Sequence, residues 1–160
     1  MTKKINKKLL LTILILISLI LATAYLIEYQ LNYQPCKLCI YERVPYIFSI
    51  FLIIKIFFFK GYEKATLLVL SLIFFASSIL AFYHFGIEQG FFNESFVCNT
   101  GSFSENLSKE QLLEQLKQNT VSCKDVTFKI FGLSLAAINM IFSLFLSVIF
   151  ARLFFNYENN

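Results

Sequence analysis

Cys36 and Cys39 stand three apart in Pro35-Cys36-Lys37-Leu38-Cys39-Ile40-Tyr41-Glu42-Arg43, and an arginine follows four residues after the second sulfur. Two thiols at i and i+3 share a face of a helix that begins near Pro35, and Arg43 then lies one turn deeper on that face. A helix amino terminus and a neighbouring cation both favour a thiolate. The thiolate is the nucleophile of disulfide exchange, so the spacing suits a redox-active pair. A structural staple closing two intervening residues would gain little chain entropy. Zinc is the competing use of C-x2-C, but a closed structural site takes four ligands, usually as two close pairs. The other two cysteines, Cys98 and Cys123, are far apart, and His84 is the only histidine. No metal is expected.

The elements that must position these sulfurs are apolar. Of 160 residues, 58% are hydrophobic and only 15% charged, against about a quarter charged in a soluble domain. The charges are crowded between long apolar runs, which reads as a single integral membrane domain. Spans are expected at about 9–27, 40–59, 65–85 and 131–150, with loops at 28–39 and 86–130 between them. The fold class is therefore an all-α membrane protein, a four-transmembrane-helix bundle with a long loop between helices three and four. Ala22-Thr23-Ala24 after a lysine cluster also resembles a signal-peptide cleavage site. The apolar run continues past it, however, and removing it would leave an odd number of spans. Pro45 falls early in the second span, where a missing N–H is tolerated. Lys55 near its far end reads as a snorkelling cation.

Lysine and arginine density orients the chain. Lys3, Lys4, Lys7, Lys8, Lys60, Lys64 and Arg152 lie in short pieces on one side, so both termini are expected to be cytoplasmic. The net charge of +4 comes largely from that terminal lysine cluster and argues for no nucleic-acid partner. All four cysteines then face the outside, where disulfides persist. In the outer loop, Ser108-Lys109-Glu110-Gln111 fits a helix start. Leu107, Leu112, Leu113 and Leu116 fall on one face of that helix, lying on the membrane surface or on the span ends.

As a structural disulfide, Cys98 and Cys123 would contribute roughly 3–4 kcal/mol through loop closure. As an exchange pair they would meet another protein. The polar segment around them has few residues able to build a core and is expected to be mobile, which favours exchange. Electrons passed to Cys36 and Cys39 then need an acceptor. The chain has neither G-x-G-x-x-G nor C-x-x-C-H, since Ile40 follows Cys39. A quinone, carried in the lipid, could reach the pair sideways. Arg43 and His84 could hydrogen-bond its oxygens. The plainer readings are a headgroup anchor for Arg43, an interfacial histidine for His84, and a local counter-charge to Arg43 for Glu42.

Cys36-Lys-Leu-Cys39-Ile-Tyr-Glu-Arg43 resembles the C-x-x-C-I-Y-E-R signature of the DsbB family, bacterial inner-membrane thiol–quinone oxidoreductases. Tyr83-His84 with Glu88 resembles that family's third span end, and Cys123 followed by Phe131-Gly132-Leu133 resembles its last loop. The resemblance covers about Leu9 to Phe150. It implies a bacterial inner-membrane location, periplasmic cysteines, and a place in the oxidative protein folding that the DsbA–DsbB–quinone route sustains. It implies that Cys98 forms a mixed disulfide with a periplasmic thioredoxin-like DsbA partner, and that Cys123 then exchanges with Cys36. Cys39 would face the quinone, ubiquinone or menaquinone, with Arg43, His84 and Glu42 around it. Two departures concern the partner rather than the redox core: the chain has no tryptophan, and its 99–122 loop is its own.

The expected function is thus a disulfide-generating membrane oxidoreductase. The alternative is a non-enzymatic four-span scaffold with structural disulfides. Such a scaffold has no use for Cys39 and Arg43 at one-turn spacing.

Overall fold

The computed structural model describes residues 7–59, 61–93, 98, 122–124, 129–130 and 132–157, and among these it has four helices. They are α1 (Lys7–Gln30), α2 (Lys37–Phe58), α3 (Glu63–Glu88) and α4 (Leu135–Phe155), and a two-stranded hairpin, β1 (Lys129–Ile130) and β2 (Leu133–Ser134), precedes α4. The surface helix expected at 108–116 lies outside the described residues, as does Lys60.

The first helix satisfies its own hydroxyl interruptions. In α1 the hydroxyls of Thr12, Ser18 and Thr23 donate to the carbonyls of Lys8, Leu14 and Leu19, four residues back. An apolar run can carry such residues in lipid because no donor is left exposed. α2 begins at Lys37, so Pro45 sits in its interior rather than in its first turn. The Tyr41 carbonyl therefore lacks its usual helical donor. Lys55 reaches forward across the turn to Thr66 Oγ1 at 3.4 Å. Gly61, at φ +137°, makes that turn possible.

The tightest pairing is α3 with α4, and small residues cause it. Ser71 Oγ donates to the Ser147 carbonyl at 3.1 Å, and Ser147 Oγ donates back to the Ser71 carbonyl at 3.0 Å. Ser78 Oγ donates to the Met140 carbonyl at 3.1 Å. Small side chains let two backbones approach and their hydroxyls bond across, which is how helices associate where water cannot drive them together. α2 packs on α3, and α1 on α2. The buried centre holds Ile17, Ile53, Leu70 and Leu146 around an aromatic stack of Phe74 on Phe150, which Tyr46 meets edge-on.

α1, α3 and α4 are long and apolar enough to cross a membrane. α2 has 22 residues, about 33 Å at 1.5 Å each, but carries Lys37, Glu42, Arg43 and Lys55. Phe48 and Phe51 on α2, like Leu19 on α1 and Phe145 on α4, turn outward and are exposed. The last helix starts at Leu135, later than the Phe131 expected from hydropathy. Gly132, at φ +83°, turns the chain into the hairpin, and Ser134 Oγ then caps α4 by accepting from the Ala137 N–H at 3.2 Å.

Candidate active site

The amino terminus of α2 positions the first two sulfurs. Cys36 is the helix cap itself, extended at φ −68° and ψ 167°, and its Sγ accepts from the Cys39 N–H at 3.2 Å. A side chain that accepts there satisfies an orphan donor of the first turn. Capping holds the Cys36 sulfur over the helix end, and Cys39 Sγ comes to 2.7 Å from it. Both are free thiols, Cys36 buried and Cys39 partly exposed.

The other two cysteines arrive at the same place. Cys98 and Cys123 form a disulfide. It packs in one buried cluster with Cys36, Leu38 and Ile87, against which Cys39, Leu80 and Tyr83 also lie. At the end of α3, the chain turns back so that the Phe91 and Phe92 N–H groups both donate to the Gly86 carbonyl. The Phe92 ring stacks on Tyr83 and occupies the space where a Cβ on residue 86 would stand. A side chain at 86 would have to displace that ring.

His84, buried on α3, touches the sulfur pair. Its Nε2 lies 3.5 Å from Cys36 Sγ, and its Nδ1 lies 2.8 Å from Glu42 Oε1. The second carboxylate oxygen of Glu42 accepts from Asn139 Nδ2 on α4 at 2.7 Å. Asn139 Oδ1 in turn accepts from the Tyr46 hydroxyl and, at 3.2 Å, from Ser143 Oγ. A polar chain thus runs from Cys36 through α3, α2 and α4, and both oxygens of the buried Glu42 are satisfied. An ionised carboxylate only accepts, so Nδ1 carries the hydrogen that goes to Glu42. Nε2 is left to share one proton with Cys36, as S–H···N or as S⁻···H–N. The hydrogen bond from the Cys39 thiol pulls Cys36 down most strongly and burial opposes it. His84 adds its own hydrogen bond and charge, and the Cys36 thiol settles at about 5 against an ordinary 9.0.

Glu88, one turn beyond His84, places Oε1 at 3.8 Å from the same Nε2. Its other oxygen is buried without a hydrogen-bond partner among the described residues.

Arg43 is placed elsewhere. It pairs with Glu28 on α1, and its guanidinium lies over the Tyr25 ring, 4.9 Å from the centroid. The counter-charge reading of Glu42 is corrected accordingly: Glu42 belongs to His84 and Asn139, and Glu28 answers Arg43. Adjacent residues on a helix point about 100° apart, so Glu42 and Arg43 face different neighbours. Sequence reasoning missed Asn139, Tyr46 and Glu28. A lone Asn in an otherwise apolar span is the signal that marks Asn139.

A protein-family model described as "Disulfide bond formation protein DsbB" matches residues 6–153. The "Uncharacterized protein RP370" of Rickettsia prowazekii (strain Madrid E) is 32% identical to this chain, over 99% of it and 94% of the relative. No solved structure matches the chain.

Proposed function

The chain belongs to the DsbB family of membrane disulfide-formation proteins, and from that premise we propose that it reoxidises a periplasmic DsbA-like thiol protein and passes the electrons to a membrane quinone. The convergence of all four cysteines on one buried cluster carries this reading. In it α2 is the fourth span, both termini are cytoplasmic and the cysteines are periplasmic. The outward Phe48 and Phe51 support the span. So does the pairing of its intramembrane charges, Arg43 with Glu28 and Glu42 with His84.

A thiolate of the partner attacks Cys98, and Cys123 leaves as a thiolate. The partner's second thiol then releases Cys98 and closes the partner's own disulfide. Cys123 attacks Cys36 of an oxidised Cys36–Cys39 pair and expels Cys39. Cys98 then attacks Cys123, which restores Cys98–Cys123 and leaves Cys36 and Cys39 reduced. A quinone held beside Cys39 would supply the acceptor for the two electrons and two protons released when Cys36 and Cys39 close again.

The residues present fit such an acceptor. Cys39 is the partly exposed sulfur of the pair, and Ile40 and Val44 beside it offer apolar surface open to the outside. Arg43 has five donors, more than the Glu28 carboxylate takes up. His84, its ring held by Glu42, holds or releases the proton of Cys36.

The test is purified protein with a soluble quinone and a reduced thioredoxin-fold substrate, followed by quinone absorbance. Quinone reduction by the wild type and its loss in Cys39→Ser are expected. No reduction by the wild type, or full activity in Cys39→Ser, overturns the proposal.

A further inference from the structure

We infer that Cys36, Cys39 and His84 form a site that captures a thiophilic divalent cation of the Zn²⁺ type whenever the Cys36–Cys39 pair is reduced. The three ligand atoms, Cys36 Sγ, Cys39 Sγ and His84 Nε2, all lie within 4.8 Å of one another. Zinc–sulfur and zinc–nitrogen bonds of about 2.3 and 2.0–2.1 Å in a tetrahedron set sulfur and nitrogen about 3.5 Å apart. Cys36 Sγ and His84 Nε2 are 3.5 Å apart. Two sulfurs on one tetrahedral ion stand about 3.8 Å apart, so Cys39 must swing outward from 2.7 Å. It is the partly exposed member of the pair and has room to do so.

Two further features point to a cation. Glu42 accepts from His84 Nδ1, which fixes the ring with Nε2 turned to the sulfurs. A carboxylate behind the distal nitrogen of a histidine is the usual support of a zinc-ligating imidazole. The Glu88 side chain is 7% exposed and has one oxygen 3.8 Å from Nε2, and its other oxygen has no hydrogen-bond partner among the described residues. Three protein ligands leave the fourth tetrahedral position open, as in zinc sites that keep a water there. Thiolate and imidazole donors favour zinc-like ions over magnesium or calcium.

Capture displaces two protons, the Cys39 thiol proton and the one that Cys36 shares with His84 Nε2, and moves no electrons. The sulfurs cannot then close on each other, and once closed they do not ligate. Cation and disulfide therefore exclude one another at this site, and a bound cation holds the pair reduced. The site needs neither quinone nor protein partner, so it stands or falls separately from the proposed activity.

The test uses the full chain in detergent, with Cys98→Ser and Cys123→Ser leaving one pair. It is reduced with a phosphine and titrated anaerobically with Co²⁺ as a spectroscopic substitute for Zn²⁺. One Co²⁺ per chain is expected, with thiolate-to-cobalt charge-transfer absorbance and the visible bands of tetrahedral cobalt, both abolished by Zn²⁺. Oxidising the same sample should remove the signal. Glu42→Gln should weaken binding roughly 10- to 100-fold. Absence of the bands in the reduced chain, or their persistence after oxidation, overturns the inference. Unchanged affinity in His84→Gln overturns it too. The reduced and oxidised forms of one preparation are compared, so that arm does not depend on the folding of any further variant.

Discussion

Glu42 on α2 holds the ring of His84 on α3 by a 2.8 Å bond to Nδ1, and this leaves Nε2 facing the Cys36 sulfur. Neither helix alone could orient that imidazole. The carboxylate is itself fixed from a third helix by Asn139, so the sulfur's proton partner depends on three elements staying in register.

Glu42→Gln preserves shape and removes the charge behind His84. A hydrogen bond to a charged group contributes about 1.5–3 kcal/mol, so reoxidation of the Cys36–Cys39 pair should slow roughly ten- to a hundredfold. Stopped-flow measurement of the reduced pair with excess soluble quinone checks this. An unchanged rate removes Glu42 from the site.

Cys36 titrates at about 5 instead of 9.0, chiefly through Cys39. In the reduced protein its thiolate absorbance should persist at neutral pH and vanish as pH falls through about 5. Because the folded value is the lower one, the associated stability is full above 9.0 and is lost toward about 5. In Cys39→Ala the main cause is gone, and the titration should move up toward 9.0. Ultraviolet titration of both proteins decides it.

Arg43→Ala should raise the KM for quinone at least about tenfold, the loss expected for one hydrogen bond from a charged donor, while the helical signal is kept. Glu28→Gln, which leaves Arg43 in place with its counter-charge gone, should have the smaller effect on KM. Unchanged quinone dependence in Arg43→Ala would return the residue to the role of an anchor.

Ser147→Leu forces a large side chain into the closest contact between α3 and α4. Overpacking of this kind costs about 1–3 kcal/mol, and loss of the reciprocal bonds with Ser71 adds to it. Thermal unfolding in detergent should shift down clearly more for Ser147→Leu than for Ser147→Ala.

What the sequence determined by itself is local. Cysteine spacing put the two sulfurs together at the start of α2, Cys36 as its cap and Cys39 in its first turn. The apolar runs announced all four helices, because a span needs about 20 apolar residues to cross lipid. The start of α4 was displaced because Gly132 and Ser134 build a hairpin and a cap inside a stretch that hydropathy alone counts as span. The partner of each buried charge was decided only in three dimensions. Periodicity says that Glu42 and Arg43 point different ways, but not which helix each will meet. That choice follows from how the small faces of α3 and α4 close together and how α1 and α2 lie against them. The packing gave Glu42 to His84 and Arg43 to Glu28. It also brought the only histidine of the chain to a sulfur pair 48 residues away.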